Sequence, residues 1–420
     1  MAPQADQKHQ NSDSVTNESN SNGRKEVLYD GYFYDVTDWV KRHPGGRIIE
    51  FYTKSGEDAT LPIQEFHQRS EKKVKVIMSS LKRRPAELHE LGLEPEVLKR
   101  HQALTEDFQK LHRDLEAEGL FTPSLPHVVY RISELVILAA LGIYLISLKS
   151  PILTLFGILS FAMFQGRCGW LMHEGGHHSL TGVPNWDRFL QSVIYGLGDG
   201  MSSSWWSSQH NRHHAMPQRL KHDVDLQTLP LIAFNSKVVK NPKDGKGFFV
   251  QHQSVLFLAI DTLLVATMWK IYLHPRYVIQ KGTYTQLLFM ALHYTLAYQF
   301  GFVNYIITVW LASMYIFGNF SLSHTHLPVT NGPLHWVEYA LSHTMDIEPS
   351  WWCDWWMAYL NYQIEHHLFP TMPQFRHPLI QGRVRELAKK HNIPYYCAPY
   401  SEAVKKTYSN LADVSKELRH

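Results

Sequence analysis

Cysteine is scarce in this chain of 420 residues: Cys168, Cys353 and Cys397 are the three present, far apart and with no C-x-x-C pair. A disulfide framework and a zinc ribbon are thereby excluded, and a reducing, cytosol-facing setting fits. Charge of one sign is also lacking, with 41 basic against 38 acidic residues. That balance gives no nucleic-acid footprint, so no nucleic-acid partner is expected. The opening stretch MAPQADQKHQNSDSVTNESNSNGRK has no apolar run. It excludes a cleavable secretory signal and reads as a disordered polar leader over 1–25.

Long apolar runs are missing from residues 1–130 but dominate from Glu134 to about Ser321. Leu135 to Leu148 and Pro151 to Met172 read as two membrane spans in a hairpin with Lys149 at its tip. Further on, Ser254 to Leu273, Gln286 to Phe300 and Val303 to Phe320 are three more candidates. Trp351, Trp352, Trp355 and Trp356 suit a headgroup boundary.

Histidine is what the chain has in excess, 26 in all, and three clusters hold many of them: His173/His177/His178, His210/His213/His214 and His366/His367. At that frequency a given H-x-x-H-H pattern arises by chance roughly 0.1 times per chain. His210, His213 and His214 stand at i, i+3 and i+4, on one face of a helix, and Gln363, His366 and His367 repeat the spacing. His173 and His177 are i, i+4 neighbours, whereas His178 points about 100° away and is expected behind the ligands. Clusters that share one metal site must lie on one side of the bilayer, so an even number of crossings separates them. Gln286 to Phe300 and Val303 to Phe320 are therefore assigned as spans. Ser254 to Leu273, with Asp261 and Lys270 inside it, is expected to be interfacial or half-buried.

Residues 26–84 carry a second metal signature. The run Tyr34-Asp35-Val36-Thr37-Asp38-Trp39-Val40-Lys41-Arg42-His43-Pro44-Gly45-Gly46, followed by Gly56-Glu57-Asp58-Ala59-Thr60 and then by His67, resembles the haem-binding motif of cytochrome b5. The resemblance implies a small α+β domain with His43 and His67 as axial ligands of haem b. Two imidazoles on the iron leave no place for oxygen, which makes the haem an electron carrier. Pro44, Gly45 and Gly46 would force a tight turn beside the macrocycle. Between this domain and the membrane, over 85–130, Pro95 to Glu118 has helical periodicity with Leu98, Phe108, Leu111 and Leu115 on one side, and Gly119 is placed to end it.

His173-Glu174-Gly175-Gly176-His177 also satisfies H-E-x-x-H, the zinc peptidase pattern. Two glycines weaken a helix at about 1 kcal/mol each. The histidines outnumber the needs of one tetrahedral zinc, and hydrolysis has no use for an electron carrier. Two redox ions fit better, and iron is the choice matched to oxygen chemistry.

With all three boxes in view, the chain resembles the front-end fatty acyl desaturases, in which an N-terminal cytochrome b5 domain is fused to a di-iron domain. H-x-x-x-H is His173 to His177, H-x-x-H-H is His210 to His214 and Q-x-x-H-H is Gln363 to His367, running on into Leu368-Phe369-Pro370. The resemblance implies a mainly α-helical integral membrane domain over 131–400, with about four transmembrane helices and a cytosolic helical cap, followed by a polar tail over 401–420. It implies two iron ions held by His173, His177, His210, His213, His214, Gln363, His366 and His367. A further ligand follows the last span, His324 in the first instance and His326 in reserve. Many members have Asp after the first histidine where this chain has Glu174; Glu174, Asp223, Asp225, Asp346 and Glu365 are candidates for orienting imidazoles.

The implied reaction uses O2 and electrons from NADH, delivered by a flavin reductase of the cytochrome b5 reductase type to the haem and then singly to the irons. Two hydrogens leave neighbouring methylenes of a polyunsaturated acyl-CoA or phospholipid, giving a cis double bond at delta-5 or delta-6. The expected location is the endoplasmic reticulum membrane, multi-pass, with haem domain and boxes on the cytosolic face. Alternatives are a sphingolipid long-chain-base desaturase, a fatty acyl hydroxylase and, from another class, a membrane-tethered electron-transfer protein.

Overall fold

The computed structural model describes residues 23–54, 57–332 and 334–419. The expected leader, apart from residues 23–25, and Gly56 of the second haem-domain motif lie outside them. Strands β1 (Glu26–Tyr29) and β2 (Tyr32–Asp35) form a hairpin paired Val27 to Tyr34. Its two-residue turn is Asp30-Gly31, with φ of 49° and 74°, the left-handed pair that suits the twist of the strands. After the helices α1 (Ile49–Lys54), α2 (Thr60–His67) and α3 (Glu71–Ser80), the strand β3 (Arg83–Pro85) returns to pair with β2. Val27, Val36, Val40, Tyr52 and Ala59 are buried together, and Ala215 and Met216 from far along the chain join them. The haem-type domain therefore shares a core with the rest of the molecule.

Helix α4 (Pro95–Ala117) starts on Pro95, whose missing N–H costs nothing in a first turn, and gives way to Gly119 at φ 75°. Leu104, Phe108 and Leu115 are buried against Trp336, Leu368, Phe369 and Ile380. The expected connector is thus part of the core outside the membrane-type helices.

Helices α5 (Leu125–Ser147) and α6 (Pro151–Gly176) form the expected hairpin, with Lys149 at φ 55° in its turn. A Cβ on Gly157 would stand 2.9 Å from the carbonyl of Gly142, so glycine is what lets the two helices touch. The first span begins ten residues before the expected Leu135 and inside the expected linker, because charges that interrupt the apolar run are paired within the bundle. Arg131 pairs with Glu174 at 3.0 Å, and Arg167 with Glu134 at 2.8 Å.

Among the described residues four helices are long and apolar enough to cross a membrane: Leu125–Ser147, Pro151–Gly176, Gln253–Lys281 and Phe302–Ser323. Contacts qualify the third. Gln253 bonds the backbone of Ala233 and Leu411, and His274 Nδ1 accepts from the amide of Ser202, just before the helix that carries the second histidine box. The Trp269 ring meets Phe317 at 5.3 Å, and Leu258 lies beside Gly318 on the same turn. This segment crosses the end of the 302–320 helix instead of running along it. Tyr284–Phe300, at 17 residues, begins where the Ser204 amide donates to Gln286 and ends with Phe300 against Phe161, midway along α6. By length and apolarity the 253–281 helix qualifies and the 17-residue Tyr284–Phe300 does not, against the expected assignment of Gln286–Phe300 and Val303–Phe320 as the pair after the second box; of that pair, Val303–Phe320 falls within Phe302–Ser323.

The cap contains the helices Trp336–His343, Gln363–Leu368 and His377–Lys390, and a two-stranded parallel pair, Asp346–Ile347 with Cys397–Ala398. Residues 401–420, expected as a polar tail, instead contribute to a docked helix, Tyr400–Glu417. Ala403, Thr407, Leu411 and Val414 supply a narrow buried stripe among charges, a period of about 3.6 that overall polarity conceals.

Candidate metal centres

Three elements present the boxes. Box one closes α6, where Gly175 and Gly176 allow close packing: a Cβ on Gly176 would lie 2.3 Å from the Trp206 ring and 2.8 Å from the Gln191 amide. Box two lies on the helix Ser203–Ala215, whose start is capped by Ser202 accepting from Trp205 N. Trp206 stacks on His210 at 4.3 Å. Box three is the helix Gln363–Leu368, held by the Ile364 amide donating to Asp346 at 2.9 Å.

Among the described residues the imidazoles gather into two adjacent nests. His173, His177, His210, His214 and His366 have donor atoms all within 4.8 Å of one another, and so do His213, His324 and His367. His214 and His367 stack across the boundary at 4.0 Å and 9°. Gln363 stands at the second nest, its amide nitrogen 3.1 Å from His324 Nε2. His178 and His326 belong to neither group.

The spacing within the first nest suits a single ion. His177 and His210, and His210 and His214, bring Nε2 atoms to 3.0 Å, and His214 and His366 to 3.1 Å. Two nitrogens at right angles about an ion, with bonds of about 2.1 Å, stand about 3.0 Å apart. His173 Nε2 and His367 Nε2 are buried with no hydrogen-bond partner among the described residues, a state that costs about 1–3 kcal/mol per atom unless an ion satisfies it. Burial holds His177 down to about 3 and keeps His210, His214, His324, His366 and His367 well below the usual imidazole range. These rings are neutral, as metal binding requires. His213 differs. Burial lowers it, but Asp223 and Asp225 outweigh that and lift it to about 9.

Of the acids expected to orient imidazoles, Asp223 and Asp225 do so, at 3.0 and 3.2 Å from His213 Nδ1. Glu174 does not: it faces Arg131 and His127, at 3.0 and 3.1 Å. Asp346 and Glu365 turn instead to each other and to the Tyr395 hydroxyl. Sequence reasoning missed Gln374, whose amide lies 2.8 Å from His173 Nδ1. With the amide oxygen turned to Nδ1–H, Nε2 of His173 stays free for an ion. A lone glutamine carries no spacing signal.

In the N-terminal domain the His43 and His67 rings face each other with centres 6.0 Å apart. That is about the distance two axial nitrogen bonds to one iron require. Each Nδ1 is engaged by a backbone carbonyl, of Gly46 at 3.0 Å and of Ile63 at 3.1 Å, which leaves each Nε2 free to hold an iron. A Cβ on Gly45 would meet His43 Cε1 at 2.8 Å, the reason for glycine beside this imidazole. Burial, and then the neighbouring His43, lower His67 to about 4.

Comparison with known proteins follows the same division. Residues 150–399 match the fatty acid desaturase family, and residues 12–92 match the cytochrome b5-like haem/steroid binding domain. Over 405 residues the chain is 48% identical to an acyl-lipid (8-3)-desaturase of Rebecca salina, covering 93% of this chain and 92% of that one. A protein of the same name from Thraustochytrium sp is 44% identical over 421 residues, 96% and 95% of the two chains. Fatty acid desaturase 3 of Homo sapiens is 28% identical over 416 residues, 94% of this chain and 89% of that one.

Proposed function

The chain belongs to the fatty acid desaturase family, as a front-end acyl-lipid desaturase with a fused cytochrome b5 domain, and on that premise we propose that it inserts a cis double bond at the delta-5 or delta-6 position of a polyunsaturated acyl chain. The observation that carries the reading is the first nest, with its Nε2 atoms 3.0–3.1 Å apart beside a second group of three imidazoles. His173, His177, His210, His214 and His366 would hold one iron. His213, His324 and His367, with Gln363 beside them, would hold the other, and His43 and His67 would hold haem b. Iron bound there would supply the redox chemistry that methylene C–H bonds, with no acid or base handle, require.

The balance is four-electron. Two electrons and two protons come from adjacent C–H bonds, and haem held by His43 and His67 would supply two more electrons; with two further protons this accounts for O2 leaving as two waters. Asp223 and Asp225 hold His213 in the tautomer that offers Nε2, and Gln374, with its amide oxygen turned to Nδ1–H, would do the same for His173. Between the two positions, delta-5 is favoured. Carried over to this chain, the numerals 8-3 read as a bond three carbons on the carboxyl side of one at carbon 8. The word acyl-lipid likewise favours a phospholipid-linked substrate over the coenzyme A ester. Electrons would come from NADH through a flavin reductase, at the cytosolic face of the endoplasmic reticulum.

The test is expression in yeast with a panel of polyunsaturated acids and gas chromatography of the products. A new cis bond at delta-5 is expected. A product that gains oxygen without losing two hydrogens would mean hydroxylation, and conversion of sphingoid bases alone would move the substrate class.

A further inference from the structure

We propose that Phe66 is the positioning residue through which the haem site is coupled to the histidine nests. The inference rests on the ligand roles just proposed.

Phe66 is the covalent neighbour of His67 in the last turn of α2, and its ring presents an edge to His214 of the first nest, with centres 6.3 Å apart and planes at 78°. A second edge contact, with Trp336 at 6.2 Å, fixes the ring from the side. The residues that follow His214, Ala215 and Met216, lie in the haem domain's own apolar cluster, so packed protein fills the space between the two metal sites. Electron transfer weakens steeply with distance and with every break in packing. A route that leaves the His67 ring, follows one stretch of backbone, enters the Phe66 ring and crosses one van der Waals contact to His214 has a single through-space step.

The domain is also held in this register. The Tyr52 hydroxyl donates to the Ala215 carbonyl at 3.0 Å, and the Phe51 ring meets His222 at 4.9 Å. Arg219 pairs with Glu57, and the Tyr339 hydroxyl joins both. Arg69 donates to the Thr371 carbonyl at 3.0 Å. These contacts surround the Phe66–His214 approach and keep the rings from drifting apart.

The rival route is His178. It follows nest residue His177, has a left-handed φ of 58°, and lies near enough to Gly175 and His67 to feel both. Among the described residues His178 makes no ring contact with His43 or His67, whereas Phe66 is joined to His67 by the backbone and to His214 by a ring contact, which is why Phe66 is preferred.

Haem held by His43 and His67 would supply electrons one at a time, two for each acyl chain oxidised, and an ion held by the nest would accept them. Dithionite or a flavin reductase reloads the haem. The experiment uses the full chain in detergent or nanodiscs, loaded with haem and iron. The haem is reduced, substrate and O2 are added, and its reoxidation is followed by absorbance.

Phe66→Leu is expected to slow reoxidation about tenfold, equivalent to about 1.4 kcal/mol in the barrier. Phe66→Tyr should stay within about twofold of wild type, because the ring remains. Haem content, haem potential and iron content should not change. A small viologen reductant that reaches the nests directly should restore single-turnover product. Reoxidation of Phe66→Leu at the wild-type rate overturns the proposal, as does Phe66→Tyr being as slow as Leu, or His178→Gln alone being slow. If Leu costs the protein its haem, Phe66→Met replaces it with the same expectations. Wild-type protein without bound iron would overturn the ligand reading instead, which separates the two failures.

Discussion

His213 is set apart from the other nest imidazoles by what lies behind it, two carboxylates within 3.2 Å of Nδ1. In metal-free protein its pKa of about 9 stands above the ordinary 6.5. A raised group contributes stability that is complete below the unfolded value and lost as pH rises through the folded one. Thermal stability of the apoprotein should therefore fall between about pH 6.5 and 9, and Asp223→Asn should flatten that fall; an unchanged slope in melting scans would refute it. With metal present, the same substitution should weaken retention of the ion about 10- to 100-fold, read by metal analysis after chelator challenge. In the N-terminal domain, His43→Ala should abolish the visible haem band, and a retained band would remove the axial assignment. At this scale the sequence was most legible. Spacing brought every box histidine to a nest, because i, i+3 and i+4 share a helix face. It did not reveal that this face straddles two nests, with His210 and His214 in one and His213 in the other.

Among elements, the end of α6 shows how packing overrides propensity. Two glycines look like weak points in a helix, yet the Trp206 ring and Gln191 fill the space a side chain at Gly176 would take. Gly176→Ala should cost about 1–3 kcal/mol by overpacking and release metal with it. Gly382, exposed on the 377–390 helix with nothing within 4 Å of a built Cβ, is the control. Alanine there should stabilise by up to about 1 kcal/mol, and melting curves of the two variants compare them directly. Element limits were less legible than element identity. Arg131 and Glu134 cut the first apolar run short because hydropathy counts charges one at a time, whereas the fold pairs them across helices.

The whole molecule sets two further tests. With 284–300 and 302–320 as the crossing pair, Lys149 and Gly301 lie on the side opposite the boxes and Gly282 lies with them. Single cysteines at 149, 282 and 301, probed with an impermeant maleimide in sealed microsomes, should label in that pattern. Labelling of 282 together with 149 would make 253–281 a span. Docking of the haem domain depends on the buried Arg219–Glu57 pair, and Arg219→Met should weaken it by about 3–5 kcal/mol, seen as faster hydrogen exchange over residues 51–66 and 212–222. Nothing in the sequence announced this contact. Tyr52 and Ala215 are 163 residues apart, and a single sequence carries no sign of which distant residues share a core.

That separation bears on how the protein is made. At about 5–20 residues per second, a ribosome that has finished Tyr52 needs roughly 10–30 s more to reach Ala215. Until then the nascent haem domain lacks the segment that carries Ala215 and His222, which pack on Tyr52 and Phe51. Chaperone demand should peak in that interval, and early haem capture, by ordering His43 and His67 before the membrane helices exist, would shorten the time this surface is a hazard.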